Sequence, residues 1–273
     1  MASIDLGALW DFAQPALSEQ RFRAALAAAS GDDVLILETQ IARTYGLRRD
    51  FARARELLAA VEPHLARAGP EAQARYWLEL GRSWCSATHG PEELTPQAKT
   101  NARAAYDRAL ALAKGARLDA LAIDTLHMFA FVDTDPAAGI MWADEGLKIA
   151  LASEQPAAAR WEAALRNNRG YALQRLGRHD EALAEFKLAL TARERLGEVR
   201  SVRIAHWMIA NTLRLMGRLD EARDIQLRLE CEWDADAERD PYVFEELEQI
   251  YRAQGHAERA AHYAARLKAS KSR

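Results

Sequence analysis

Residues 168–190 read NRGYALQRLGRHDEALAEFKLAL. Apolar or small residues at Gly170, Leu173 and Leu176, and then at Ala182, Phe186 and Ala189, keep the i, i+3, i+4, i+7 rhythm of one helical face, broken once at Gly177. The stretch is therefore two short helices joined at a glycine turn. Gly170 is expected to face the Ala182 region so that the backbones approach closely, while Phe186 and Leu190 fill the space between successive hairpins. Asp180 and Glu181 fall at the start of the second helix, where negative charge complements the helix dipole. The punctuation recurs: LGRHDEAL at 176–183 is echoed by MGRLDEAR at 216–223 and by AQGHAERA at 253–260. A repeat sets the architecture.

The pattern Gly170, Leu173, Gly177, Asp180-Glu181-Ala182, Phe186, Ala189-Leu190 resembles the tetratricopeptide repeat, a helix–turn–helix unit of about 34 residues. Arg166 and Arg169 depart from it, standing where that family usually has Trp and Leu. The spacing departs too, and ALTARERLGE at 189–198 is similar to the longer repeats of kinesin-light-chain type. The resemblance implies an all-α fold, a right-handed superhelical solenoid of antiparallel helix hairpins, in a protein of bacterial type. It further implies a non-catalytic scaffold for a protein or peptide partner.

Composition narrows the class. The chain has 273 residues, 49% hydrophobic and 28% charged, with a net charge of −3. That is enough apolar material for a substantial core and gives no global reason to expect nucleic acid. No apolar run reaches the roughly 18 residues of a membrane helix, and MASIDLGALWDF lacks a basic leader, so a cytoplasmic protein without membrane contact is expected. Cys85 and Cys231 are expected to be free thiols. No phosphate-binding loop, dinucleotide fingerprint, nucleophile elbow or zinc-protease motif occurs, and neither cofactor nor metal is expected.

In chain order, a helix from Ser18, a good N-cap residue, caps the stack over 16–30. Six hairpins follow, at 32–67, 71–113, 117–153, 156–196, 199–236 and 241–270, making one solenoid domain over 1–273. GLRRDF at 46–51 is expected to enlarge the first turn, and HGPEELTPQ at 89–97 lengthens the second. Thr95-Pro96 and Asp135-Pro136 read as an N-cap followed by a first helical residue. The alanine-rich last helix, HAERAAHYAARLKASKSR, offers a face for a homodimer.

The resemblance places the first helices of the hairpins along a concave groove. Positions i, i+4 and i+7 give Arg43; then Leu78, Arg82 and Cys85; then Asp124, Met128 and Phe131. Later hairpins give Asn167, Tyr171 and Gln174; Trp207, Asn211 and Arg214; and Glu245, Gln249 and Arg252. Glu79, His127, Asn168 and Arg175 edge these stripes. Asn can bind an extended backbone through donor and acceptor, and Arg can clamp a carboxylate, which suits a peptide. The competing expectation is internal pairing, as of Glu79 with Arg82 or of Asp124 with a neighbouring helix. The lysines of the family's chaperone-binding carboxylate clamp are absent from these slots, so a chaperone-tail adaptor is not expected. A small-molecule sensor or enzyme built on Glu79, Arg82, Asp124, His127 and Asn168 is a third reading.

Cys85 and His89 share i, i+4 spacing, but a thiol beside a turn histidine is the plainer reading than a zinc site lacking two ligands. His206 reads as a core histidine. ECEWDADAERD at 230–240 reads as a solvated turn, and the basic tail Lys268, Lys271 and Arg273 is too short for nucleic acid.

Overall fold

The computed structural model describes residues 4–271, and Arg273 of the basic tail lies outside them. The described residues form helices and no strand. They fall into two compact units, residues 1–161 and 162–273.

The first unit opens with α1 (Leu6–Leu9) and α2 (Pro15–Leu26), followed by α3 (Asp32–Leu47) and α4 (Phe51–Val61), which ends in a 3-10 turn, Glu62–Arg67. Next come α5 (Pro70–Trp84), α6 (Pro96–Gly115), α7 (Asp119–Val132), α8 (Pro136–Ala152) and the short α9 (Pro156–Ala159). Helices α3/α4, α5/α6 and α7/α8 pack as pairs, with α2 against α3 and α6 against α7. The second unit holds α10 (Glu162–Arg175), α11 (His179–Leu196), α12 (Val199–Leu215), α13 (Leu219–Ala235), α14 (Pro241–Ala253) and α15 (Ala257–Lys271). They pair as α10/α11, α12/α13 and α14/α15.

The helix starts follow the sequence signals. Thr95 and Asp135 accept from the backbone N–H of Ala98 and Ala137 at 3.1 and 3.2 Å, each ahead of a proline whose missing N–H costs nothing there. Ser18, however, is no cap. α2 begins three residues earlier at Pro15, and the buried Ser18 hydroxyl accepts from the Asp11 N–H and donates to the Asp11 carbonyl, at 2.7 and 2.9 Å. The proline at the first helical position outweighs a hydroxyl that finds a tertiary partner.

One turn device ends most of the hairpin helices. Gly177, Gly217 and Gly255 have φ of +72°, +77° and +78°, and the next residue's N–H reaches back to the carbonyl of Leu173, Leu213 or Tyr251 at 3.0, 2.9 and 2.9 Å. This left-handed cap suits glycine because no Cβ is strained. The same conformation recurs at Arg49, Arg117 and Ala237, with φ of +65°, +54° and +56°. The GLRRDF turn is therefore not enlarged: Asp50 N–H closes on the Tyr45 carbonyl at 2.9 Å as in the glycine turns.

Cores follow the pattern of small residue against ring. A Cβ on Gly170 would stand 2.7–2.9 Å from the Phe186 ring, and one on Gly81 only 2.3–2.9 Å from the Tyr106 ring. Each glycine thus seats the aromatic of its own hairpin partner, whereas sequence reading sets Gly170 against Ala182. Phe186 and Tyr106 are fully buried. Arg166 and Arg169, in the slots expected for Trp and Leu, reach the buried Glu185 of α11 at 3.3 and 2.7 Å, so ion pairing replaces apolar packing there. Leu176, on the expected apolar face, is 43% exposed. α15 exposes no large hydrophobic side chain among its described residues.

Candidate functional site

In the first unit, α3, α5 and α7 surround a cavity of ≈ 220 Å³. Its floor is charged. Arg82 donates to Glu79 Oε1 at 2.6 Å and also bonds Asp124 of α7, while Arg43 of α3 stands 3.8 Å from Glu79 Oε1. Four of the expected groove residues thus meet, together with His127, around one space. Glu79, expected at the groove's edge, is 3% exposed and lies between Arg82 and Arg43. Leu78 and Cys85, assigned to the stripe, are buried in the core. The stripe on α5 is rotated by one residue, because the apolar face turns Leu78 toward Tyr106 and leaves Glu79 to the cavity.

Burial opposes the charge on Arg82, yet the fields of Asp124 and Glu79 outweigh it and raise its pKa. Burial would likewise raise Asp124, but Arg82 and Arg43 hold its carboxyl below the usual range. Arg43 is pushed down by burial and by the like charge of Arg82. His127 is depressed by burial, which keeps it neutral at pH 7. Apolar walls come from Met128, Phe131 and Trp161, and His127 packs on both Phe131 and Trp161 with ring centroids at 5.7 Å.

The loop after α5 closes one end. Cys85 is the residue after the helix, so the helical spacing to His89 is lost. The Cys85 thiol donates to the Phe131 carbonyl at 3.3 Å, and burial pushes its pKa up. His89 stacks on Phe51 at 3.7 Å and its Nδ1 accepts the Ser86 N–H at 3.2 Å. Thr88 donates to the Gly46 carbonyl at 3.2 Å. The described residues contain no cluster of His, Cys, Asp and Glu able to hold a metal ion.

Acid sensitivity follows from the histidines. His127, His89 and His206 all have folded pKa values below the ordinary 6.5, with burial the first cause in each. For His206 the nearby charge of Arg228 adds to burial, and the side chain is half-buried rather than a core residue. The unfolded chain therefore binds these protons more readily than the folded one. Stability that is fully present above about pH 6.5 is lost as the pH falls through the lower folded values. Thermal melts are expected to shift to lower temperature from pH 7.5 to pH 5.5, and His127→Gln to flatten that slope. A melting temperature flat across this range would refute the assignment.

In the second unit the polar side chains run in a chain. Gln174 of α10 donates to Asn211 of α12 at 2.8 Å, Asn211 donates to Glu246 of α14 at 2.7 Å, and Arg214 meets both Glu246 oxygens at 2.8 and 3.1 Å. Glu246 is 2% exposed and organises this network, yet sequence reading selects its neighbour Glu245, which is half-buried. The signal available is that Glu246 precedes Leu247 in the face that also buries Val243 and Ile250. Gln249 is half-buried, Arg252 is exposed and pairs with Glu248 at 2.5 Å, and Tyr171 is exposed. Asn167 and Asn168 are half-buried on α10, as is Arg169 beside them, while Arg175 is exposed. Trp207 lies apart from the polar chain. With Trp233, Met208, Pro241 and Tyr242 it lines a recess of ≈ 410 Å³, and its indole N–H is buried without an acceptor among the described residues.

Paired helices closed by one recurring turn define a helical repeat protein. A family model for the tetratricopeptide repeat matches residues 161–229, which are built of such repeats. No curated protein matches the sequence. The fold is similar to that of a signal transduction ATPase with numerous domains and a tetratricopeptide repeat sensor from Pyrococcus horikoshii, with TM-score 0.69 and 12% identity over 94% of this chain. This chain spans 39% of that protein's length. The fold is also similar to that of a Rap protein complexed with Competence and Sporulation Factor, with TM-score 0.60 and 12% identity, covering 98% of this chain and 74% of the other. No described helix is long and apolar enough to cross a membrane.

Proposed function

We propose that the chain is a non-catalytic scaffold that binds a peptide or protein segment on the first helices of its hairpins. The observation that carries this reading is the aromatic recess of the second unit. Trp207 and Trp233 give it an apolar floor, Tyr242 stands 63% exposed at its edge, and the buried Trp207 N–H has no acceptor among the described residues. An apolar side chain would displace water from the floor while a peptide carbonyl accepts from the indole, and such aromatic anchors dominate binding energies. The similar Rap protein was solved with Competence and Sporulation Factor, which supports binding as the role of this architecture. Within the second unit the exposed or half-buried groove residues, from Asn167 on α10 to Arg252 on α14, belong to the proposal as flanking contacts. Those tied into internal ion pairs, above all Arg82, Asp124 and Arg214, serve it by holding the helices in place.

Selection of random displayed peptides on the full chain is expected to enrich sequences with one large apolar anchor. Tyr242→Ala, at a site too exposed to disturb folding, should weaken the selected peptides by at least about tenfold, or 1.4 kcal/mol. Equal binding by Tyr242→Ala, or no enrichment at all, would remove the recess as the binding site.

A further inference from the structure

The cavity of the first unit carries two polar groups left unmatched among the described residues. Arg82 donates to Glu79 Oε1 and to Asp124. Glu79 Oε2 is buried and receives no hydrogen bond from them, although a buried carboxylate oxygen without a donor is costly. Arg43 makes only the 3.8 Å approach to Glu79, beyond hydrogen-bond reach, and no other acceptor is found for it among the described residues. Its position is nonetheless fixed, because the guanidinium lies 5.3 Å from the ring centres of both Trp10 and Phe12. An unfilled donor site and an unfilled acceptor site therefore stand side by side at the bottom of one cavity.

We propose that this cavity binds a small zwitterion, a free α-amino acid with an apolar or aromatic side chain, whose carboxylate meets Arg43 and whose ammonium meets Glu79 Oε2. The charge balance selects this class. Two guanidinium groups and two carboxylates sum to zero, so a ligand of net charge would bring an uncompensated charge into a buried site. In a free α-amino acid the opposite charges are separated by a single carbon, which matches adjacent sites; within a peptide segment they are not. The side chain would lie against Met128, Phe131 and Trp161. The size agrees, since ≈ 220 Å³ exceeds the roughly 150 Å³ of a cavity that admits benzene. Neutral His127 adds no third cation, and the depressed pKa of Arg43 is relieved when an anion arrives. This site is separate from the recess around Trp207 and does not depend on peptide binding there.

Isothermal titration calorimetry on the full chain tests the idea with L-leucine, L-methionine and L-phenylalanine as probes. At least one is expected to bind, with N-acetyl and carboxamide derivatives of the same amino acid each weaker by about tenfold or more. Arg43→Gln should produce the same loss while the circular dichroism spectrum and melting curve stay close to wild type. Glu79→Gln provides the second arm, and if it fails to fold, the derivative series decides alone. Absence of heat with all three probes overturns the proposal. So does equal binding of the N-acetyl or the carboxamide form, which would mean that only one charge is read. Neither result would touch the peptide reading, whose test rests on Tyr242.

Discussion

Arg82→Ala is expected to destabilise the first unit by about 3–5 kcal/mol, the range for removing one member of a buried ion network. The reason is what it leaves behind. Glu79 is 3% exposed, its Oε1 would lose the 2.6 Å bond from Arg82, and its Oε2 already lacks a donor. Asp124 would lose the cation that holds its carboxyl ionised, and only Arg43, itself 3.8 Å from Glu79, would remain nearby. Neutralising the whole set has a different outcome. Arg82→Leu combined with Arg43→Leu, Glu79→Leu and Asp124→Leu is expected to recover most of the loss, because no charge of the set is then left without a partner. Urea unfolding followed by circular dichroism measures both. A loss below about 1 kcal/mol for Arg82→Ala would place the network in the weak class of solvent-screened surface pairs.

Phe186→Ala is expected to cost a similar amount in the second unit, about 3–5 kcal/mol. The ring is fully buried against Gly170, and a glycine cannot lean in to fill the space the ring vacates. The reciprocal change is informative. Gly170→Ala would bring a methyl to 2.7–2.9 Å from the ring, and overpacking of about 1–3 kcal/mol exceeds the gain of roughly 1 kcal/mol in helix propensity. With both changes made, the new methyl occupies part of the vacated volume and the propensity gain is realised, so the double variant should be more stable than the sum of the single losses implies. A double-mutant cycle in urea reads the coupling. Strict additivity would show that the glycine and the ring do not meet in solution.

The turns show how far sequence reading reaches and where it stops. Gly177, Gly217 and Gly255 are visible because only glycine adopts their left-handed φ without strain. Arg49, Arg117 and Ala237 perform the same backbone task with side chains that give no such signal, so the first turn reads as longer than it is. Thr95 and Asp135 are legible as caps because they act on their own next residues. Ser18 misleads, since its partner Asp11 comes from the chain's opening stretch, folded back by α1 and the turn after it.

The candidate site divides in the same way. Periodicity selects Arg43, Arg82 and Asp124 and sets His127 at an edge, and the fold brings all four to one cavity. The buried Glu79 and Glu246 organise the polar clusters of the two units, yet the same periodicity sets one at an edge and passes over the other. One residue along a helix is a rotation of about 100°, so a stripe is visible in sequence while its bearing is not.

What the sequence determined by itself was local: where helices start, where glycine turns end them, and which faces are apolar, because those depend on residues within a few positions of one another. Tertiary structure alone decided that Glu185 would answer the two arginines placed where packing residues were expected, that Phe186 would rest on Gly170, and that Arg43 and Glu79 would each keep an unfilled bond at the floor of one cavity. Each of these depends on how two helices are rotated against each other, and that rotation is set by the volumes of side chains on both, which no single stretch of the chain contains.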